Sequence, residues 1–242
     1  MDKKYALIIG ASGDIGVSVA QKLAQSGWSL YLHYNSGAEV IDKMTQELSA
    51  RYPNQEFFKI KADLIADDIA VITDSIFSLN ALIFAQGITE YGLFSTLSDE
   101  RMQELMTVNY EKPLLLVKKL QDKIAQSGFG RIVFLGSVYG KVGSSMEVMY
   151  SSLKGAISSF ANAYAKEVAS LDITVNVIAP GAVQTKMTSF LNDDEKNELT
   201  DEIPLNKMAQ PQDISFWVDT LLNKQSRYLT GETIYVDGGW LV

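Results

Sequence analysis

Tyr5-Ala-Leu-Ile-Ile-Gly10-Ala-Ser-Gly13-Asp-Ile-Gly16 decides how the rest of this chain is read. Its apolar run is short and unbroken, the form taken by a strand that is buried on both faces. Glycines follow, and from Ile15 to about Ser26 apolar residues return at helical spacing. Strand, glycine turn and helix start, in that order, make an anion cradle. Glycines let the backbone approach closely, and the first helical N–H groups lie unpaired at the positive end of the helix dipole. Gly10, Ser12, Gly13, Asp14, Ile15 and Gly16 are therefore candidate contacts to the diphosphate of a dinucleotide. A ligand-free glycine turn is the plainer reading of the same residues.

Working outward, similar apolar runs recur as SLYLHY, EFFKIKA, ALIFA, RIVFLG, ITVNVIA and TIYV, with longer amphipathic stretches between them. Strands alternating with helices predict an α/β fold, a doubly wound parallel sheet of seven strands with helices on both faces. No repeat or linker divides residues 1–242, so a single dinucleotide-binding and catalytic domain is expected. One stretch differs, at about 186–203, where an acidic, helix-patterned segment lies between Pro180-Gly181 and Pro204. It reads as a lid over a site or as a solvated surface helix.

Composition removes whole classes of chemistry. The chain has 242 residues, 47% of them apolar and 21% charged, which is ordinary globular usage. It has no cysteine, which excludes disulfides, thiolate nucleophiles and thiolate metal sites, and no metal is expected. The single histidine, His33, lies in a strand pattern and reads as a packing or surface residue. A net charge of −8 disfavours nucleic acid and anionic membrane as partners. The N-terminal apolar run is too short for a signal peptide, and the expected location is cytoplasmic.

An NAD site places Asp or Glu about twenty residues after the glycine turn, against the ribose 2′-hydroxyl. Here the second strand ends in His33-Tyr34-Asn35-Ser36. Without a carboxylate to repel a 2′-phosphate, and with Asn35 and Ser36 able to donate hydrogen bonds, the expected cofactor is NADP(H).

Gly136-Ser137-Val-Tyr139-Gly140 follows the fifth strand, and Tyr150-Ser-Ser-Leu-Lys154 opens the next helix. Residues four apart share a helix face, so Tyr150 and Lys154 are neighbours. An ammonium beside a phenol is expected to lower its pKa and make Tyr150 a usable proton donor. Ser137 can polarise a carbonyl toward the alkoxide that hydride addition produces. Lys154 can also bind ribose hydroxyls.

Thr-Val-Asn109, Ser137, Tyr150 and Lys154, with Tyr thirteen positions after Ser, resemble the catalytic tetrad of the short-chain dehydrogenase/reductase family, and the likeness runs over essentially the full chain. The 3-oxoacyl-acyl-carrier-protein reductase branch is the most similar. The resemblance implies a Rossmann sheet and reduction of a ketone to a secondary alcohol by NADPH. It implies that Asn109 keeps a helix kinked and anchors a water, that Asp63-Leu64 hold the adenine, and that Gly87 lies near the ribose. Pro180-Gly181, Val183 and Thr185 would grip the carboxamide. It also implies a homotetramer, with the ending Tyr-Val-Asp237-Gly-Gly-Trp240-Leu-Val at an interface and Trp240 exposed until subunits assemble.

Three features depart from that pattern. Asp14 occupies a position that is glycine in the family, where its carboxylate is expected to cap the following helix. The family's Asn-Asn-Ala-Gly reads Phe84-Ala85-Gln86-Gly87. The basic residues that dock an acidic acyl carrier are replaced by Gly128-Phe129 and Ser170-Leu171, leaving Arg131. Tyr139 and Glu147 are candidate substrate contacts, and a carboxylate at 147 favours a cationic substrate unless it is merely a solvated loop residue. Leu-His-Tyr-Asn, Glu147-Val-Met-Tyr150 and Asp201-Glu-Ile-Pro204 are similar to a narrower group, the reductases of the 5-aminopentanone modification on elongation factor P. The ketone is thus expected on an acyl carrier protein or on elongation factor P. The alternative is an NADP-binding regulator without catalysis.

Overall fold

In the computed structural model, which describes residues 3–189 and 192–240, the seven apolar runs are the strands β1 (Lys4–Ile9), β2 (Trp28–Tyr34), β3 (Phe57–Lys61), β4 (Ala81–Phe84), β5 (Gly130–Leu135), β6 (Ile173–Pro180) and β7 (Thr233–Val236). They form one sheet in the order β3-β2-β1-β4-β5-β6-β7, and every neighbouring pair runs parallel. The chain winds outward from β1 to β3 and then returns to the other side of β1 with β4. A crevice therefore opens between the carboxyl ends of β1 and β4, the place where such sheets bind ligands.

Alternate strand residues feed two separate cores. Leu7, Ile9, Leu82 and Phe134 pack with Leu116, Leu120 and Ile124 of helix α5 and with Ile157, Ala161 and Val168 of α7. Ala6, Ile8, Ile83 and Val133 pack on the opposite face against α1, α2 and α9 through Leu23, Met44 and Val218. These helices are α1 (Asp14–Gln25), α2 (Ala38–Arg51), α5 (Lys112–Ala125), α7 (Val148–Val168) and α9 (Pro211–Leu221), with the short α3 (Ala70–Thr73) and α6 (Tyr139–Val142) between them. Burial on both faces is the reason the strands read as unbroken apolar runs instead of alternating ones.

Helix α4 (Asp99–Met106) continues into α5 through a π-helical stretch, Thr107–Glu111. The acidic excursion consists of a short turn at Lys186–Thr188 and α8 (Asp193–Glu202), in which no residue is buried. Asn192 caps α8 reciprocally with Glu195, so the helix is held by its own terminus. Ile203, just beyond it, is buried against Val138 and Trp240. Trp240 is therefore not exposed as the sequence suggested. It is 7% accessible and stands edge-on to Tyr139, with ring centroids 5.8 Å apart. Leu241 and Val242, expected at an interface, lie outside the described residues, as do positions 190 and 191 of the excursion.

Candidate active site

The glycine turn sits at the crevice. Gly10 has φ +79°, and a Cβ there would lie 2.7 Å from the backbone of Gln86 at the end of β4, so the two strand ends meet more closely than any side chain permits. A Cβ on Gly16 would lie 2.2 Å from the Gly10 carbonyl oxygen, so the helix can start tight against the turn only with glycine. Gly13 is the N-cap of α1 and no side chain caps the helix, which leaves its first-turn N–H groups for an anion. Asp14 does not cap it, contrary to the expectation. Its Oδ2 accepts instead from the backbone N–H of Lys186, at 2.6 Å, and ties the turn to the start of the excursion.

Other candidate cofactor residues border the same edge. Asn35 and Ser36 are exposed just beyond β2. Asp63 follows β3, where its Oδ1 accepts from the Ile65 N–H, and Leu64 is buried. Pro180 ends β6, and the Gly181 N–H donates to the Val236 carbonyl. Val183 is buried and forms an isolated parallel bridge with Ala209, and Thr185 closes on Thr188. Gln86 keeps a buried Oε1 without a donor. Positive-φ glycine, an uncapped helix start and an orphaned acceptor around one crevice fit a dinucleotide.

Asn109, Ser137, Tyr150 and Lys154 come together beside it. A Cβ on Gly87 would lie 3.4 Å from Asn109 Oδ1 and 3.6 Å from Lys154 Nζ, so all three border one spot. Asn109 is buried in the π-helical stretch. Its Nδ2 donates to the carbonyls of Ile88 and Leu105, and its Oδ1 accepts from the Ile88 N–H. Where the helix widens into the π turn, the asparagine side chain supplies a donor to the Leu105 carbonyl. Lys154, 5% accessible, donates to the Leu135 carbonyl at 2.7 Å, and its Nζ is 5.5 Å from the Tyr150 ring centroid. Ser137, whose Oγ accepts from the Tyr139 N–H at 3.2 Å, lies close enough to the Tyr150 hydroxyl to favour its phenolate.

Electrostatically the pair differs from the sequence expectation. Burial pushes the Tyr150 phenol up to about 12, with Glu147 and Tyr139 adding to the rise and Ser137 opposing it. Burial likewise brings Lys154 down to about 8. Loss of water is felt by both groups and outweighs the attraction expected between ammonium and phenolate.

Residues 10–241 match the protein family described as Enoyl-(Acyl carrier protein) reductase, within the short-chain dehydrogenases/reductases. The chain belongs to the short-chain dehydrogenase/reductase family. It is 38% identical over 240 residues to the uncharacterized oxidoreductase YmfI of Bacillus subtilis, covering 98% of each chain. It is 30% identical over 241 residues to the 3-oxoacyl-acyl-carrier-protein reductase FabG of Staphylococcus aureus, covering 98% of this chain and 97% of that one. Among solved structures, the angucycline C-6 ketoreductase LanV with bound NADP superposes with a TM-score of 0.91 at 26% identity, over 98% of this chain and 95% of that one.

Several residues of this short-chain dehydrogenase/reductase site escape a reading by motif. His33 is 2% accessible, with Nδ1 accepting from the Gly10 N–H and Nε2 set against the Ala62 carbonyl, while its own carbonyl accepts from the Ala11 N–H. It braces the glycine turn against the end of β3, and burial holds its imidazole down at about 4. Thr89 donates to Glu147 Oε1 at 2.7 Å, so Glu147 is a held side chain instead of a solvated one. Glu202, at the end of α8, accepts from the Trp240 indole N–H. Burial, then Glu147 and Glu202, raise the Tyr139 phenol, so both carboxylates act on the same ring. The sequence singles out Glu147 and Tyr139, His33 and Glu202 lie only inside the stretches of the narrower resemblance, and Thr89 carries no signal.

Proposed function

We propose that the protein is an NADPH-dependent ketone reductase in which Tyr150 donates the proton that completes a secondary alcohol. The observation that carries this reading is the meeting of Ser137, Tyr150 and Lys154 beside the crevice of the glycine turn. Gly10, Ser12, Gly13, Ile15 and Gly16 would hold the diphosphate, Asn35 and Ser36 the 2′-phosphate, and Asp63 and Leu64 the adenine. Gly87, Tyr150 and Lys154 border the ribose in this reading, and Pro180, Gly181, Val183 and Thr185 the carboxamide. The reduced cofactor supplies the hydride.

Ser137 donates a hydrogen bond to the substrate oxygen, and Tyr150 transfers its phenolic proton to that oxygen as negative charge develops there. A phenol pushed up to about 12 is fully protonated at neutral pH, the form needed to reduce a ketone and the wrong form to oxidise an alcohol. Lys154, at about 8, remains mostly charged at pH 7 and favours the phenolate left behind. Asn109, fixed by three hydrogen bonds to backbone, keeps Gly87 and Lys154 in register.

For the substrate, the arrangement around Tyr139 favours a cationic ketone. Glu147 and Glu202 bear on one phenol with Trp240 alongside, and two carboxylates near an aromatic pair suit an ammonium group. That supports the 5-aminopentanone group on elongation factor P, in line with the similarity already drawn. A second reading, a 3-oxoacyl thioester, is favoured by a cavity of about 280 Å³ lined by Leu93, Phe94, Met146, Val148 and Met149, which suits an acyl chain. Oxidation of NADPH followed by absorbance separates the two, with acetoacetyl thioester in one arm and aminopentanone-modified elongation factor P in the other. Turnover is expected with the aminoketone, and Tyr150→Phe is expected to slow it by about 10²–10⁴-fold while NADPH binding persists. Silence with both substrates, or a fully active Tyr150→Phe enzyme, removes the assignment and favours a cofactor-binding regulator.

A further inference from the structure

At the amino-terminal ends of β5 and β6, the opposite edge of the sheet from Ser137, lies a cavity of about 310 Å³ lined by Phe129, Arg131, Asp172, Ile173, Lys224 and Arg227. The six residues of β5 separate it from the carboxyl-end crevice by roughly 20 Å at about 3.3 Å per residue. Three cations meet here in a protein of net charge −8. Arg131 is 2% accessible, yet its guanidinium donates only from Nη1, to the carbonyl of the adjacent Gly130, and its Nε is buried without an acceptor.

Among the described residues, neither Arg131 nor Lys224 nor Arg227 has a carboxylate within 4.0 Å. Asp172 acts on Arg131 from farther away, and the guanidinium lies 3.9 Å from the centroid of the Phe129 ring. Burial lowers the pKa of Arg131, and Lys224 helps lower that of Lys4. A buried charge with unmet hydrogen-bonding capacity destabilises a fold unless a counter-charge joins it.

We propose that this cavity binds a phosphate group carried on a small organic body. Three cations against one carboxylate leave a local charge that a phosphate dianion neutralises and a single carboxylate does not. Tetrahedral oxygens can take donors from Arg131, Lys224 and Arg227 together. The cavity falls at the lower end of the roughly 300–1,000 Å³ range of small-molecule sites, and Phe129 and Ile173 offer apolar surface to the ester. Phe129 and Arg131 lie where the family resemblance places carrier docking, but a small phosphate ligand in this cavity does not depend on the reductase reading.

Calorimetric titration of the full chain with inorganic phosphate and with phenyl phosphate, NADPH being present at saturation so that the glycine-turn crevice is filled, tests the assignment. One saturable site per chain is expected. Lys224 and Arg227 are exposed, so the double variant Lys224→Ala/Arg227→Ala is expected to fold and to weaken binding at least tenfold, whereas Lys43→Ala, an exposed cation on α2, leaves it unchanged. Tighter binding of phenyl phosphate supports an ester as the ligand, and equal affinities support free phosphate in the same site. Absence of saturable heat, or binding undiminished in the Lys224→Ala/Arg227→Ala variant, overturns the proposal.

Discussion

His33 and Lys154 are two ionisable side chains that this fold buries, and each makes the protein sensitive to pH in a defined direction. The folded imidazole sits at about 4, below its ordinary 6.5, so the unfolded chain binds a proton more readily. The associated stability is present above pH 6.5 and is lost as pH falls toward 4. Denaturant titrations between pH 6.5 and 5 should therefore cost the native protein about 1.5 kcal/mol more than His33→Gln, and equal losses would contradict the brace between Gly10 and Ala62. Lys154 is also depressed, from 10.5 to about 8, and for a cation this means that the folded state holds the charge at a cost below pH 8. Lys154→Met should raise stability at pH 7 on the order of 1–3 kcal/mol while abolishing turnover, after allowing for the lost bond to the Leu135 carbonyl. The gap should narrow as pH rises from 8 toward 10.5, where the native lysine sheds its proton. A variant less stable than the native protein at pH 7 would show that the burial cost is offset elsewhere.

Between elements, the contact of most consequence joins the first turn of α1 to the start of the acidic excursion. Asp14 has two properties there, an acceptor for the Lys186 N–H and a negative charge beside the proposed diphosphate site. Asp14→Asn keeps an acceptor and removes the charge, so NADPH should bind about fivefold tighter, the equivalent of about 1 kcal/mol of relieved repulsion. Asp14→Ala removes both, and limited proteolysis of the cofactor-free protein within residues 186–202 should quicken several-fold. Unchanged cleavage would show that Ile203, buried against Val138 and Trp240, holds the excursion unaided. The elements themselves were legible in advance. The seven runs are strands, and helix α1 begins within one residue of its expected start at Ile15. The π-helical stretch was foreseeable only through the family resemblance of Asn109, because the chain from Asp99 to Ala125 has one helical periodicity and nothing local announces an extra residue in a turn.

On the scale of the whole molecule, β7 forms one edge of the sheet, and Tyr228 is fully exposed, with Phe216 53% accessible on α9. Exposed aromatics and an open strand edge are features that association covers. A homotetramer is the expected assembly, and sedimentation velocity at micromolar concentration should give a species of about four chains. A monomer alone would contradict it. No helix of the described residues is long and apolar enough to cross a membrane.

What the order of residues determined alone was everything that depends on neighbours along the chain. Burial on both faces writes unbroken apolar runs, a tight turn at a helix start demands Gly10 and Gly16, and four-residue spacing puts Tyr150 and Lys154 on one face. The fold class and the nearness of Tyr150 to Lys154 follow from such local rules. Tertiary structure decided which partners each polar group found. Asp14 reaches Lys186, His33 reaches Gly10 and Ala62, Thr89 reaches Glu147, and among the described residues Arg131 has no carboxylate within 4.0 Å. Periodicity specifies the face on which a side chain lies, whereas hydrogen bonds and pKa values depend on the groups and the loss of water that folding brings from distant segments. For that reason Tyr150 could be named from its spacing, while its rise to about 12 could not.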